Sequence, residues 1–263
     1  MSIISRPRNK SFFVRFGAAC FWILVWELAA RWYDNSLILA SPSRTAATLA
    51  ALPMDPAFRL AIASSSARIV TGFAGALVFG VFFAFLASRS SWLAALLDPP
   101  LHLIRSTPIA SVTILILLWV GSRNLSVIVS FISVVPIVYL NTLAGIRSLD
   151  PKLREMATVF RLPFGKRLRY ILLPTVFPYF RAAVSAGLGF CWKSGVAAEV
   201  IGIPSNSIGE KLYLAKIYLS TGELFAWTAV VILLSYLFER ISLAALARAE
   251  RWLTKASPIS EDG

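Results

Sequence analysis

The sequence predicts an all-α membrane protein with six transmembrane helices. Of the 263 residues, 57% are hydrophobic and only 15% charged, at a mean hydropathy of +0.72. A soluble domain carries about 25% charged residues to keep a solvated face. The apolar residues also fall in long unbroken runs. Backbone groups must be paired inside lipid, so such runs are helices or barrel strands. Barrel strands alternate over ~10 residues, and segments such as Val112–Val120 do not alternate. Helices follow.

A span needs about 20 mostly apolar residues. The first runs from Phe12 to Ala30, with Arg15 and Glu27 near its ends, and Arg31-Trp32-Tyr33 forms an interface anchor behind it. Residues 33–58, with Pro42, Pro53 and Pro56, read as an outer loop holding one short helix. The second span covers Ile69–Ala87, where Gly72, Gly75 and Gly80 with Ala76, Ala84 and Ala87 suit close helix packing. The third covers Pro108–Val120 or starts nearer Leu101, and the fourth covers Leu125–Gly145, with Pro136 as a kink. The fifth runs Pro174–Ile201 and the sixth Leu224–Leu243. The chain then divides into a tail at 1–11, a first helix and outer loop at 12–58, a core at 59–250, and a tail at 251–263.

The net charge of +13 and pI near 10.3 admit a nucleic-acid binder or a membrane protein with cations held on one side. A nucleic-acid binder needs a solvated basic face, whereas these cations occupy short gaps between apolar runs. With six spans, 17 of the 26 Lys and Arg fall on the side of the two termini. By the positive-inside rule both termini are cytoplasmic. Cys20 and Cys191 lie far apart within apolar runs and read as two buried hydrophobes. His102 is the sole histidine, so no histidine metal site is expected. Arg6, Arg8 and Lys10 before the first run resemble a signal peptide, but no clear cleavage site follows, and the run reads as a retained span.

The loop between spans four and five, residues 150–174, is the most basic. Asp150 is a good N-cap and Pro151 suits the first helical position. A helix from Pro151 to about Phe160 places Leu153, Met156, Ala157 and Phe160 on one stripe. Leu162-Pro163 breaks it, and a second helix starts near Phe164 and leads to Leu173-Pro174. Such a pair is a rigid knob for a partner's groove, or a connector resting on anionic headgroups. The pattern alone leaves both open.

This stretch resembles the EAA loop of permease subunits of ATP-binding-cassette (ABC) importers. That pattern has Glu-Ala-Ala, a Gly four residues later, and a Leu-Pro pair twelve to thirteen residues beyond. Glu155, Ala157, Leu173 and Pro174 match, while Met156 replaces an Ala and Arg161 stands where Gly is expected. Arg161 therefore suggests a different turn, with Pro163 taking over. Leu39-Ala-Ser-Pro-Ser, Arg105-Ser-Thr-Pro-Ile, Pro136-Ile-Val-Tyr-Leu-Asn, Asp150-Pro-Lys-Leu and Ala197-Ala-Glu-Val-Ile-Gly also resemble the nitrate/sulfonate/taurine-type branch, so the likeness covers about residues 37 to 252.

The resemblance implies a type I ABC importer permease fold that works as a dimer. It implies two ATPase subunits docked on the coupling loop and a solute-binding protein outside, with Ser205–Tyr213 as a contact for the latter. ATP and Mg²⁺ would belong to the partner ATPase. This chain has no G-x-x-x-x-G-K-[ST] loop, binds no cofactor and has no catalytic residue. Small anions are the implied solutes, with vitamin precursors as the alternative. A secondary transporter would instead need coupling carboxylates in the spans, and a scaffold would not need charges in span five.

Span five carries three charges, and charge at membrane depth is costly. Arg181 snorkels from near one end. Lys193, beside Trp192, either lines the path of an anion or serves structure. At about 100° per residue, Lys193 and Glu199 are about 240° apart and share no face. Glu199 suits gating or structure equally.

Overall fold

The computed structural model describes residues 8–33, 35 and 37–255. Of the expected tails, residues 1–7 (including Arg6) and 256–263 lie outside the described residues. All regular structure among the described residues is helical: α1 (Arg8–Tyr33), α2 (Pro42–Ala51), α3 (Pro56–Arg89), α4 (Ser91–Ser106), α5 (Ile109–Val120), α6 (Ser122–Arg147), α7 (Pro151–Val159), α8 (Phe164–Arg167), α9 (Leu173–Gly202), α10 (Ile208–Ile217) and α11 (Thr221–Lys255). The chain splits into two compact units. One comprises Met1–Arg59 with Lys211–Val230, the other Leu60–Glu210 with Val231–Gly263.

In the smaller unit, Ser41 caps α2, its hydroxyl accepting from the Arg44 N–H at 3.3 Å with Pro42 next in line. This is the short helix expected in the outer loop. Trp26 of α1 donates its indole N–H to the Ala40 carbonyl at 3.1 Å and stacks on Phe225, and Trp227 stacks on Phe58. Lys211 pairs with Asp55 at 3.8 Å. The expectation of two buried cysteines holds for Cys191 and is corrected for Cys20, which is exposed because residues 16–25 of α1 are exposed all round, Phe21, Trp22 and Leu24 among them.

The larger unit is organised by α6 and α9, which run antiparallel in close contact. A methyl group at Gly195 would meet Ser130 Oγ at 2.6 Å, one at Gly202 would meet Leu125, and one at Gly187 would meet Val134. Small residues let the two backbones approach, the usual device where lipid supplies no hydrophobic drive. Leu125, Val129, Val134, Val138 and Tyr139 of α6 and Leu188, Cys191 and Trp192 of α9 are buried. Gly72 and Gly80 of α3 do the same against α6, a Cβ at Gly80 lying 2.7 Å from Val138 Cβ.

Among the described residues four helical segments are long and apolar enough to cross a membrane: Pro56–Arg89, Ser122–Arg147, Phe164–Gly202 and Thr221–Arg251. They carry the second, fourth, fifth and sixth predicted spans. The third is different. α5 has 12 residues, about 18 Å of the ~30 Å apolar core. It meets α4 at 107°, and the two count as one span only if the bent pair is taken together. The break lies at Thr107, held extended (φ −80°, ψ 134°) before Pro108, whose ring disfavours a helical residue ahead of it. The Thr107 hydroxyl turns back to the Leu103 carbonyl at 2.7 Å. α1 is not among the segments that meet the length and hydropathy requirement.

Candidate functional site

The 150–174 loop is built as capped helices around a small core. The Asp150 carboxylate accepts from the Lys152 N–H at 2.9 Å and Pro151 opens α7, as the sequence implied. At the far end Leu162 N–H donates to the Ala157 carbonyl at 3.0 Å and Arg161 N–H to the Thr158 carbonyl at 3.1 Å. This crossed pair is a Schellman closure, and it puts Arg161 at φ 47°. The turn is therefore the one a glycine would make. The expectation that Arg161 imposes another turn is corrected. The closure depends on apolar contact between the residue after the turn and the last helical turn, and Leu162 packs against Leu149, Ala157 and Ile171 to supply it. Pro163 instead precedes α8 in extended conformation.

A side chain at positive φ costs about 1 kcal/mol that glycine avoids. Arg161→Gly should thus raise the thermal midpoint of the purified protein by about 2–4 °C. A midpoint that falls would show that the arginine side chain stabilises this turn.

The predicted stripe divides. Ala157 is 3% exposed and belongs to the loop's core, whereas Leu153, Met156 and Phe160 stay exposed, joined by Val159 and Phe164. Glu155 is exposed on α7 and has no ion-pair partner among the described residues. Residues Leu168–Leu172 form a π turn directly ahead of α9. Pro174, at the second position of α9, has no N–H to return to Tyr170, and the wider turn ahead of it suits that missing bond. Leu173 is half-buried and Pro174 exposed.

Span five carries its charges in three environments. Arg181 pairs with Glu250 of α11 at 3.6 Å, both partly exposed, which fits a structural role. Lys193 is exposed. Its neighbour Trp192 is buried and meets the Phe238 ring edge-on at 6.3 Å. Glu199 is fully buried, on a different face from Lys193 as the spacing implied. Its Oε2 accepts from the Ser65 hydroxyl at 2.6 Å and the Gly209 N–H at 3.3 Å, and its Oε1 from Arg68 Nη1 at 3.4 Å. Ser65 accepts in turn from the Ile208 N–H at 2.9 Å, and Arg68 donates to the Ser205 carbonyl at 3.4 Å. The carboxylate thus ties α3, α9 and the start of α10 together. Sequence reading named Glu199 but not Ser65 or Arg68. In the expected binding-protein contact, Ser207, Ile208 and Gly209 are buried and only Ser205 and Asn206 of that turn face outward.

One cavity of about 250 Å³ opens at the α4–α5 break, lined by Arg105, Thr107 and Ile109, by Val129 and Ser133 of α6, and by Phe190 of α9. Its α6 residues fall near the middle of that 26-residue span. Sequence reading placed Arg105 in a stretch that resembles the family branch but gave it no place at a cavity. Phe190 precedes Lys193 by three residues and shares its stripe of α9. The Thr107-Pro108 pair was the sequence signal for the break at which Arg105 lines this cavity.

Residues 76–252 match the family described as binding-protein-dependent transport system inner membrane component. The chain belongs to that family. The chain is 31% identical over 161 residues to the putative aliphatic sulfonates transport permease protein SsuC of Bacillus subtilis (strain 168), covering 60% of this chain and 58% of that one. It is 25% identical over 229 residues to the taurine transport system permease protein TauC of Escherichia coli (strain K12), covering 85% and 82%. It is 26% identical to the nitrate import permease protein NrtB of Synechocystis sp. (strain ATCC 27184 / PCC 6803 / Kazusa), covering 56% and 54%. Its fold is similar to a bacterial alginate ABC transporter chain, with a TM-score of 0.56 at 15% identity, covering 94% of the permease and 96% of that chain.

Proposed function

We propose that this permease is the membrane subunit of an ATP-driven importer of small anions, in the inner membrane of a bacterial cell. Two copies form the path, each with six spans that include α1, and with both termini cytoplasmic. Two ATPase subunits, which hold the ATP and Mg²⁺, dock on the 150–174 loop. A solute-binding protein delivers from the opposite face near Ser205 and Asn206. The observation that carries this reading is the loop itself. Its Schellman-closed helix pair buries Ala157 and packs a half-buried Leu162 against it for rigidity, while holding Met156, Phe160 and Glu155 outward. A mere connector needs no such division.

The anion reading is supported by the names of the relatives, sulfonate, taurine and nitrate permeases. It is also supported by two cations, Arg105 lining the cavity and Lys193 one turn beyond Phe190, which lines it too. An intramembrane cation facing a cavity is best explained by an anion that passes it. The test is uptake of sulfonate, taurine and nitrate by liposomes holding the permease with its ATPase and binding protein. Arg105→Gln or Lys193→Met should each lower anion uptake about tenfold or more while the ATPase stays bound, since a charged hydrogen bond contributes about 1.5–3 kcal/mol. Unchanged anion kinetics in both variants would remove the anion path, and ATP-independent uptake would remove the importer.

A further inference from the structure

A second cavity, of about 310 Å³, lies at the loop end of the spans and has no part in the path above. Three arginines line it: Arg89 from the last turn of α3, Arg154 from α7 and Arg167 from the end of α8. Ser88 joins them on the lining, its hydroxyl donating to the Phe85 carbonyl at 2.7 Å, and among the described residues no Asp or Glu lines the cavity. None of the three arginines forms an ion pair among the described residues. The Arg89 guanidinium carbon lies 5.0 Å from the centroid of the Phe85 ring, a contact made by the face of the group and not by its N–H donors. The rest of the wall is apolar, with Phe85, Ile146 and Leu168 among it.

Three like charges around one cavity repel unless an anion sits among them. Guanidinium groups match phosphate oxygens two at a time. A free phosphate would use the arginines and leave the apolar wall wet, whereas a phospholipid uses both. The cavity also lies where α3 and α6 end and α9 is about to begin, so that a bilayer's headgroup layer reaches it. Basic pockets between spans on this side are suited to anionic headgroups. We infer that this cavity is a binding site for one anionic phospholipid, its phosphate held by Arg89, Arg154 and Arg167. Arg154 and Arg167 belong to the coupling loop and Arg89 to a span, so the bound headgroup braces the loop against the membrane helices. This site does not depend on which solute the permease moves.

The test is native mass spectrometry of the full-length permease, delipidated in detergent and titrated with phosphatidylglycerol, phosphatidylcholine or free glycerol phosphate. One phosphatidylglycerol should be retained per chain at least tenfold more tightly than phosphatidylcholine. A single Arg→Gln change at 89, 154 or 167 should weaken it about fivefold, and all three together about 100-fold. Arg181→Gln, outside the cavity, should leave it unchanged. The wild-type comparison of the two lipids needs no variant, so the inference can be tested even if the triple variant does not fold. Equal retention of both lipids, or phosphatidylglycerol bound undiminished by the triple variant, overturns the site. Glycerol phosphate binding as tightly as the lipid would overturn the lipid in favour of a soluble phosphate.

Discussion

Arg68→Ala should lower the thermal midpoint of the detergent-purified permease by roughly 10 °C. Glu199 is fully buried, and Arg68 is its one cationic partner among the ion pairs of the described residues. Removing one member of a buried pair leaves the other charge without compensation, at about 3–5 kcal/mol. For a chain of this size each kcal/mol moves the midpoint by about 2–4 °C. The loss should be specific to the charge. Glu199→Gln keeps acceptors for Ser65 and Gly209, so Arg68→Ala combined with Glu199→Gln should recover most of what Arg68→Ala alone loses. If the double variant is as unstable as the single, Arg68 acts through packing of its stem and not through the carboxylate. If Arg68→Ala shifts the midpoint by less than 2 °C, the α3–α9–α10 tie is not a charge tie.

How far the sequence discloses this site depends on whether the deciding interaction is local. The apolar lengths of α3, α6, α9 and α11 are readable because lipid demands them of the residues themselves. Asp150-Pro151 is readable as a helix start because both effects act within three residues. The angular separation of Lys193 and Glu199 is likewise fixed by helical geometry. The break at Thr107 was not foreseen although Thr107-Pro108 carries its signal, because the mostly apolar stretch from Ile109 to Val120 hides how far that helix reaches. The partners of Glu199 were not readable. Ser65 and Arg68 lie more than 130 positions away, and only the packing of α3 on α9 joins them.

The turn at Arg161 shows a subtler limit. Glycine is favoured at a left-handed position, so its absence suggested another conformation. The closure, however, is selected by several terms together: two crossed hydrogen bonds, and Leu162 packed on Ala157. Those outweigh a local cost of about 1 kcal/mol. Residue identity at one position was weaker than the sum of its neighbours.

The same geometry makes Glu155 the sharpest test of coupling. Glu155 and Ala157 are two residues apart on α7, about 200° around the helix, so one faces out while the other is sealed against Leu149 and Ile171. Glu155→Lys therefore touches no core contact, and its effect on stability should stay within about 0.5 kcal/mol. Its effect on partnership should be large. On the proposed docking, losing one partner of a buried, hydrogen-bonded charge pair costs about 2–5 kcal/mol, enough to reduce ATPase retention on a tagged permease, and ATP-driven uptake, by about 100-fold. Ala157→Glu makes the useful contrast, since it forces a charge into the loop's core and should lower the midpoint as well as the retention. A Glu155→Lys permease that inserts, melts normally and still holds its ATPase would mean that the loop's outward face is not the docking surface. A permease that loses the ATPase while its midpoint is unchanged would separate coupling from folding within a single turn of helix.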